Sequence, residues 1–110
     1  SGGEAQRLKL AKALARPTKD SALYVLDEPT VGLQVTDVAV LARALDAIVD
    51  ADNSVIVVEH DPVLLATCDW LIELGPGAGP DGGAIVFEGP PDALADAETA
   101  SAPYLREALQ

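Results

Sequence analysis

Leu23-Tyr24-Val25-Leu26-Asp27-Glu28-Pro29 is an apolar run that ends in two adjacent carboxylates and a proline. Residues 22–26 are apolar on both faces, which predicts a strand buried in a parallel sheet. Asp27 and Glu28 then stand at its carboxyl end. Adjacent carboxylates are poor core material, because a buried charge is costly unless it is paired or bound to a metal. At a strand end they suit the hydrolysis of a magnesium nucleotide. One would hold the metal, directly or through water, and the other would orient or deprotonate the attacking water. A strand that simply runs out into solvent would carry the same two residues.

Downstream, residues 29–35 read as a loop with Gly32 inside. Thr36 or Asp37 caps a helix to about Val49, with Val38, Leu41, Leu45 and Ile48 on one side. Residues 50–53 form a turn, and 55–59 a second buried strand rich in β-branched residues. His60 follows it. A histidine in that place is ordinarily a surface or satisfied core residue. Its order behind Asp27 and Glu28 makes it a candidate for contact with a terminal phosphate. Asp61-Pro62 is a cap with proline at the first helical position, predicting a short helix to about Thr67.

Residues 70–74 and 84–88 read as a third and a fourth strand. Between them, 75–83 is rich in glycine and proline and reads as a structural connection. It lacks the Gly-Lys-Ser/Thr ending of a phosphate loop. One helical turn at 92–95 and a terminal helix at 104–109 complete the chain. Strands alternating with helices imply βαβ units. The expected fold class is α/β, a mostly parallel sheet flanked by helices, with ligands beyond the carboxyl ends of the strands.

Upstream, Ser1-Gly2-Gly3-Glu4 matches a capping box. A helix follows to about Arg16, with Leu8, Ala11, Leu14 and Ala15 at helical spacing, and Pro17 stops it. A helix start with bare glycines exposes backbone N–H groups and the positive dipole end, which suits an anion. A plain capped helix would start the same way.

The 110 residues are 49% apolar and only 4% aromatic, so the core is built of Leu, Val, Ile and Ala. Disordered chains carry far less apolar surface. A net charge of −11 disfavours contact with nucleic-acid phosphates. Arg7, Lys9, Lys12, Arg16 and Lys19 gather near the start, as a solvated helix face or a local phosphate or DNA contact. Cys68 stands alone and forms no internal disulfide or zinc site, which fits a reducing cytoplasm. No apolar run approaches a membrane span, so no membrane partner is expected. Methionine is absent and Ser1 lies inside a motif. The chain is therefore expected to be a fragment whose amino-terminal part lies outside it.

The order Ser-Gly-Gly-Glu, Asp-Glu, then a histidine after a strand resembles the ATP-binding-cassette (ABC) ATPases. Residues 1–110 then correspond to the carboxyl-terminal portion of one ABC ATPase domain, a partial P-loop-NTPase fold without its phosphate loop. The resemblance narrows to the UvrA family, the damage-recognition ATPases of the ABC excinuclease. Ser1-Gly2-Gly3-Glu4-Ala5-Gln6-Arg7-Leu8-Lys9-Leu10-Ala11, Leu26 to Leu33, Val57-Val58-Glu59-His60-Asp61 and the run from Cys68 to Gly77 carry it. Lys9, Asp69-Trp70 and Pro103-Tyr104-Leu105 resemble the second of that family's two nucleotide-binding domains, while Gly75-Pro76-Gly77-Ala78-Gly79 also resembles the first.

The resemblance implies a role for each site residue. Asp27 would hold Mg2+, Glu28 would be the catalytic glutamate, and His60 the switch histidine on the terminal phosphate. Ser1, Gly2, Gly3, Glu4 and Gln6 would form the signature segment that meets a nucleotide held by the opposite domain. Gly32, Leu33 and Gln34 would lie in the interface loop. Gln34 stands where the family usually has His, which bears on nucleotide coupling across the interface. ATP and Mg2+ are the implied cofactors, with zinc expected only in the part of the parent protein outside this chain. The implied partners are a second ABC domain, a second copy in a dimer, and damaged DNA and a downstream excision-repair subunit reached through other parts. The implied function is ATP hydrolysis that drives damage recognition in nucleotide excision repair, in the cytoplasm. A UvrA-like paralogue with a drug-tolerance or export role, or an inert truncated remnant, is the alternative. The fragment alone is expected to be inactive.

Overall fold

The computed structural model describes residues 20–75 and 83–110. The chain divides into two compact units, Ser1–His60 and Asp61–Gln110.

In the first unit, β1 (Leu23–Asp27) and β2 (Ser54–Val58) pair in parallel, from Leu23 beside Ser54 to Asp27 beside Val58. Helix α1 (Val35–Asp50) connects them and packs on β2. Its stripe of Val38, Leu41, Ala42, Leu45 and Ile48 is buried, as is Leu26 of β1. This is the expected βαβ unit. The other face of the pair is open: Leu23, Val25, Ile56 and Val58 are exposed. The expectation of strands buried on both faces is thus met on one face only.

The bounds of all three elements move slightly. The helix starts before Thr36 and Asp37, because the amides of Asp37 and Val38 already donate to the Gln34 carbonyl at 2.9 and 3.0 Å. Gln34 is the cap residue, without a side-chain bond, and Asp37 sits in the first turn, where a carboxylate complements the dipole. Both strands are displaced by one residue from the expected bounds. Asp27 therefore joins the ladder, and Glu59 falls just outside it.

At the far end of α1, Asn53 is buried and fastens three segments. Its Oδ1 accepts from the Ala22 amide at 2.9 Å, and its Nδ2 donates to the carbonyls of Ile48 at 3.0 Å and Ala51 at 3.4 Å. The amide thus ties the helix end to the start of β1 and to the turn before β2.

In the second unit, Asp61 caps α2 (Pro62–Leu65), with its carboxylate accepting from the amides of Val63 and Leu64. Strands β3 (Leu71–Gly75) and β4 (Ala84–Gly89) pair antiparallel, with an irregularity between Glu73 and Leu74. The expected mostly parallel sheet is corrected here. Among the described residues there is one parallel pair and one antiparallel pair, in separate sheets. The physical reason is the connection. Parallel strands need a crossover of a dozen or more residues, usually helical, whereas Gly75 and Ala84 are joined by a short glycine-rich stretch.

Leu71, Leu94, Ala95 and Leu105 form the core of this unit, with Leu65, Ala66, Cys68, Phe87 and Ala97 against it. They draw together β3, α3 (Pro91–Ala95) and α4 (Ala102–Ala108). Arg106 closes the end of α3, its Nε and Nη2 donating to the Ala95 carbonyl at 3.0 and 2.8 Å. Gly89 is needed for close approach: a Cβ there would meet the Phe87 ring at 3.0 Å. No helix among the described residues is long and apolar enough to cross a membrane.

Candidate functional site

Parallel pairing brings the carboxyl ends of β1 and β2 side by side. Asp27, the last residue of β1, lies opposite Val58, the last of β2. The next amide, Glu28, donates to the Val58 carbonyl at 2.7 Å. Glu28 takes a positive φ of 46°, which costs a residue with a side chain on the order of 1 kcal/mol. Such a conformation persists only where the surroundings enforce it, and it collects at functional sites.

The chain then folds through two tight turns. The Val31 amide donates to the Glu28 carbonyl at 3.2 Å and the Leu33 amide to the Thr30 carbonyl at 2.9 Å. Gly32 has φ 79°, a left-handed conformation that glycine adopts without penalty. Pro29 is fully buried, while Gly32 and Gln34 are exposed and Leu33 half-buried.

Two residues past the end of β2, His60 Nδ1 lies 3.4 Å from Glu28 Oε1. The side chains are 80% and 49% exposed, so both groups face solvent and remain open to a ligand. Glu59 is enclosed instead: its side chain has 0% exposure, and its Oε1 lies 3.9 Å from His60 Nδ1. Its Oε2 accepts from Thr30 Oγ1 at 2.7 Å and from the Thr30 amide at 3.2 Å. Its Oε1 accepts from the His60 amide at 2.9 Å.

Three of the expected residues, Asp27, Glu28 and His60, therefore gather at one edge, and Gly32, Leu33 and Gln34 follow in the same loop. Ser1, Gly2, Gly3, Glu4 and Gln6 lie outside the described residues. Glu59 and Thr30 are the members that sequence reasoning missed. The available signal was a carboxylate beside a histidine at the end of an apolar run. Placing Glu59 in the strand concealed it, since one residue of slip reverses the face of a side chain.

Among the described residues, no group of three or more His, Cys, Asp and Glu stands together to hold a metal ion. Mg2+ is typically held by one or two carboxylates with phosphate and water rather than in an all-protein cage. Asp27 is exposed at the end of β1.

No family model matches the chain. Individual proteins do. It is 53% identical over 95 residues to UvrABC system protein A of Thermus thermophilus, covering 86% of this chain and 10% of that protein. It is 45% identical over 111 residues to UvrABC system protein A of Mesorhizobium japonicum, covering 100% of this chain and 11% of that protein. Its fold superposes on the crystal structure of UvrA2 from Deinococcus radiodurans with a TM-score of 0.93 and 52% identity. That match covers 100% of this chain and 14% of that one. The α/β fold is thus that of a region of UvrA-type proteins. The chain belongs to the UvrA family and spans about a tenth of the length of the relatives it matches.

Proposed function

We propose that this chain is the distal part of an ATP-hydrolysing domain of the ABC type. The complete protein would use ATP to control recognition of damaged DNA in nucleotide excision repair and loading of the next repair subunit. The observation that carries this reading is the Glu28–His60 pair, 3.4 Å apart at the carboxyl ends of two parallel strands. Ligands of α/β sheets lie at such ends.

Asp27 would hold Mg2+, which when bound offsets charge on the phosphates. Glu28 orients or deprotonates the attacking water from its half-exposed carboxylate. His60 donates to the terminal phosphate from a ring that contacts Glu28 in the structure described here. The signature residues Ser1–Gly3 act in trans, on a nucleotide held by the opposite domain. Gly32, Leu33 and Gln34 form the loop that crosses between the two domains, and a second copy completes a dimer. Positioning and electrostatic stabilisation supply most phosphoryl-transfer catalysis. Without a phosphate-loop motif in its sequence, the 110-residue chain alone should leave ATP intact.

The test is Glu28→Gln in the complete protein. Nucleotide binding should persist and turnover should be lost, because the group acts mainly in the transition state. The likeness to UvrA2 supports a second reading, a UvrA-like paralogue outside repair. Restored ultraviolet survival of a strain lacking its own UvrA, once given the complete protein, would select the repair role.

A further inference from the structure

Glu59 is a carboxylate with no exposed side-chain surface in a site whose other acids face water. A buried carboxylate is retained at a cost unless donors satisfy it. Here the donors come from both sides of the site. Thr30 gives its amide and its hydroxyl to Oε2, and His60 gives its amide to Oε1. One side chain thus fastens the loop that follows Glu28 to the backbone of His60.

Thr30 lies two residues beyond Glu28, across the fully buried Pro29, whose φ is fixed by its ring. On its other side, the Glu28 amide is tied to Val58. Glu28 is therefore held from both directions, and that is what its left-handed conformation requires. Releasing Thr30 would remove one of the ties on a conformation that persists only where its surroundings enforce it.

We infer that Glu59 is a positioning residue: through Thr30 and the His60 backbone, its enclosed carboxylate holds Glu28 and His60 in register with each other. The inference rests on the proposed ATPase reading and adds to it a latch between the interface loop and the histidine. An amide could not replace the carboxylate. Glu59 accepts on both oxygens, whereas glutamine has one acceptor oxygen and an NH2 group that would face a donor at one end.

The experiment uses the complete protein with ATP as the probe. Thr30→Val removes the hydroxyl at nearly constant shape. It should lower kcat about ten- to a hundredfold while KM for ATP stays within about twofold, the split expected when a catalytic group is misplaced and the nucleotide cradle is not. Thr30→Ser keeps the hydroxyl and should restore most of the loss. Glu59→Gln should resemble Thr30→Val, and the two together should be no worse than the worse single change, because they break one connection. Amide hydrogen exchange over residues 28–33 should quicken in Thr30→Val and Glu59→Gln but not in Thr30→Ser, a readout independent of activity.

Wild-type turnover in Thr30→Val, multiplying effects in the double variant, or unchanged exchange would each overturn the latch. Glu28→Gln, run in parallel, separates the two levels. If it is inactive while Thr30→Val and Glu59→Gln are fully active, the latch alone fails. If Glu28→Gln also turns over normally, the ATPase reading falls and the latch falls with it.

Discussion

In the pair β1–β2 the strands run the same way and stop together, so the residues that follow each strand meet at one edge. In the pair β3–β4 they run oppositely, so the end of one strand lies beside the start of the other, with Leu71 opposite Gly89. Both pairs are apolar and short, and both leave large side chains exposed, among them Val25, Ile56, Ile72 and Ile85. Direction is the difference that bears on chemistry. The parallel pair gathers Asp27, Glu28, Glu59 and His60 at its carboxyl ends. The antiparallel pair spreads its acids along the hairpin, where Glu73 accepts a hydrogen bond from Thr99 Oγ1 at 2.9 Å. The first unit is thus the candidate for chemistry and the second for support.

The largest expected effect lies at the parallel edge. Asp27→Ala in the complete protein should lower ATP turnover by about three orders of magnitude and weaken magnesium-dependent nucleotide binding, since a metal ligand acts in the ground state as well. Steady-state kinetics with a magnesium titration measures both. An unchanged magnesium dependence would remove Asp27 from the metal site.

Next in size is the core of the second unit. Leu105 is 1% exposed, and Leu105→Ala should destabilise that unit by about 3 kcal/mol through lost burial and a cavity. Denaturant unfolding of the 110-residue chain measures it. Within the first unit, Asn53→Ala should cost about 2 kcal/mol, because it removes the acceptor of the half-buried Ala22 amide and one of the two donors to the Ile48 carbonyl. Smaller still, Arg106→Ala should cost about 1 kcal/mol by freeing the Ala95 carbonyl. If the Leu105 and Asn53 substitutions shift one common transition, the two units unfold together. If each shifts its own, the division between them extends to stability.

The site edge could be read from residues in a row. Five apolar positions, two carboxylates and a proline define a strand end, and Val55-Ile56-Val57-Val58 followed by His60 defines a second. Strand positions came out within one residue, because apolar runs bounded by turn residues leave little choice. Strand direction in β3–β4 was harder, since an apolar run looks alike either way round. The signal that could have settled it is the stretch from Gly75 to Ala84, too short for a crossover helix. The inward turn of Glu59 was hidden for another reason. It depends on a one-residue displacement of β2 and on a hydroxyl at Thr30, far away in sequence. The helix start at Gln34 carries no side-chain cap, so nothing in its residue type announces it.

The central claim is that the edge of the parallel pair does the chemistry and the hairpin pair does not. It is tested most directly by comparing Glu28→Gln with Glu73→Gln in the complete protein, each assayed for ATP binding and turnover. Glu28→Gln is expected to bind ATP with affinity near that of the wild type and to lose turnover by at least about two orders of magnitude. Glu73→Gln, which keeps one acceptor oxygen for Thr99, is expected to retain turnover and to change stability by no more than about 0.5 kcal/mol. Equal turnover in wild type and Glu28→Gln, or a loss in Glu73→Gln as deep as that in Glu28→Gln, would contradict the account.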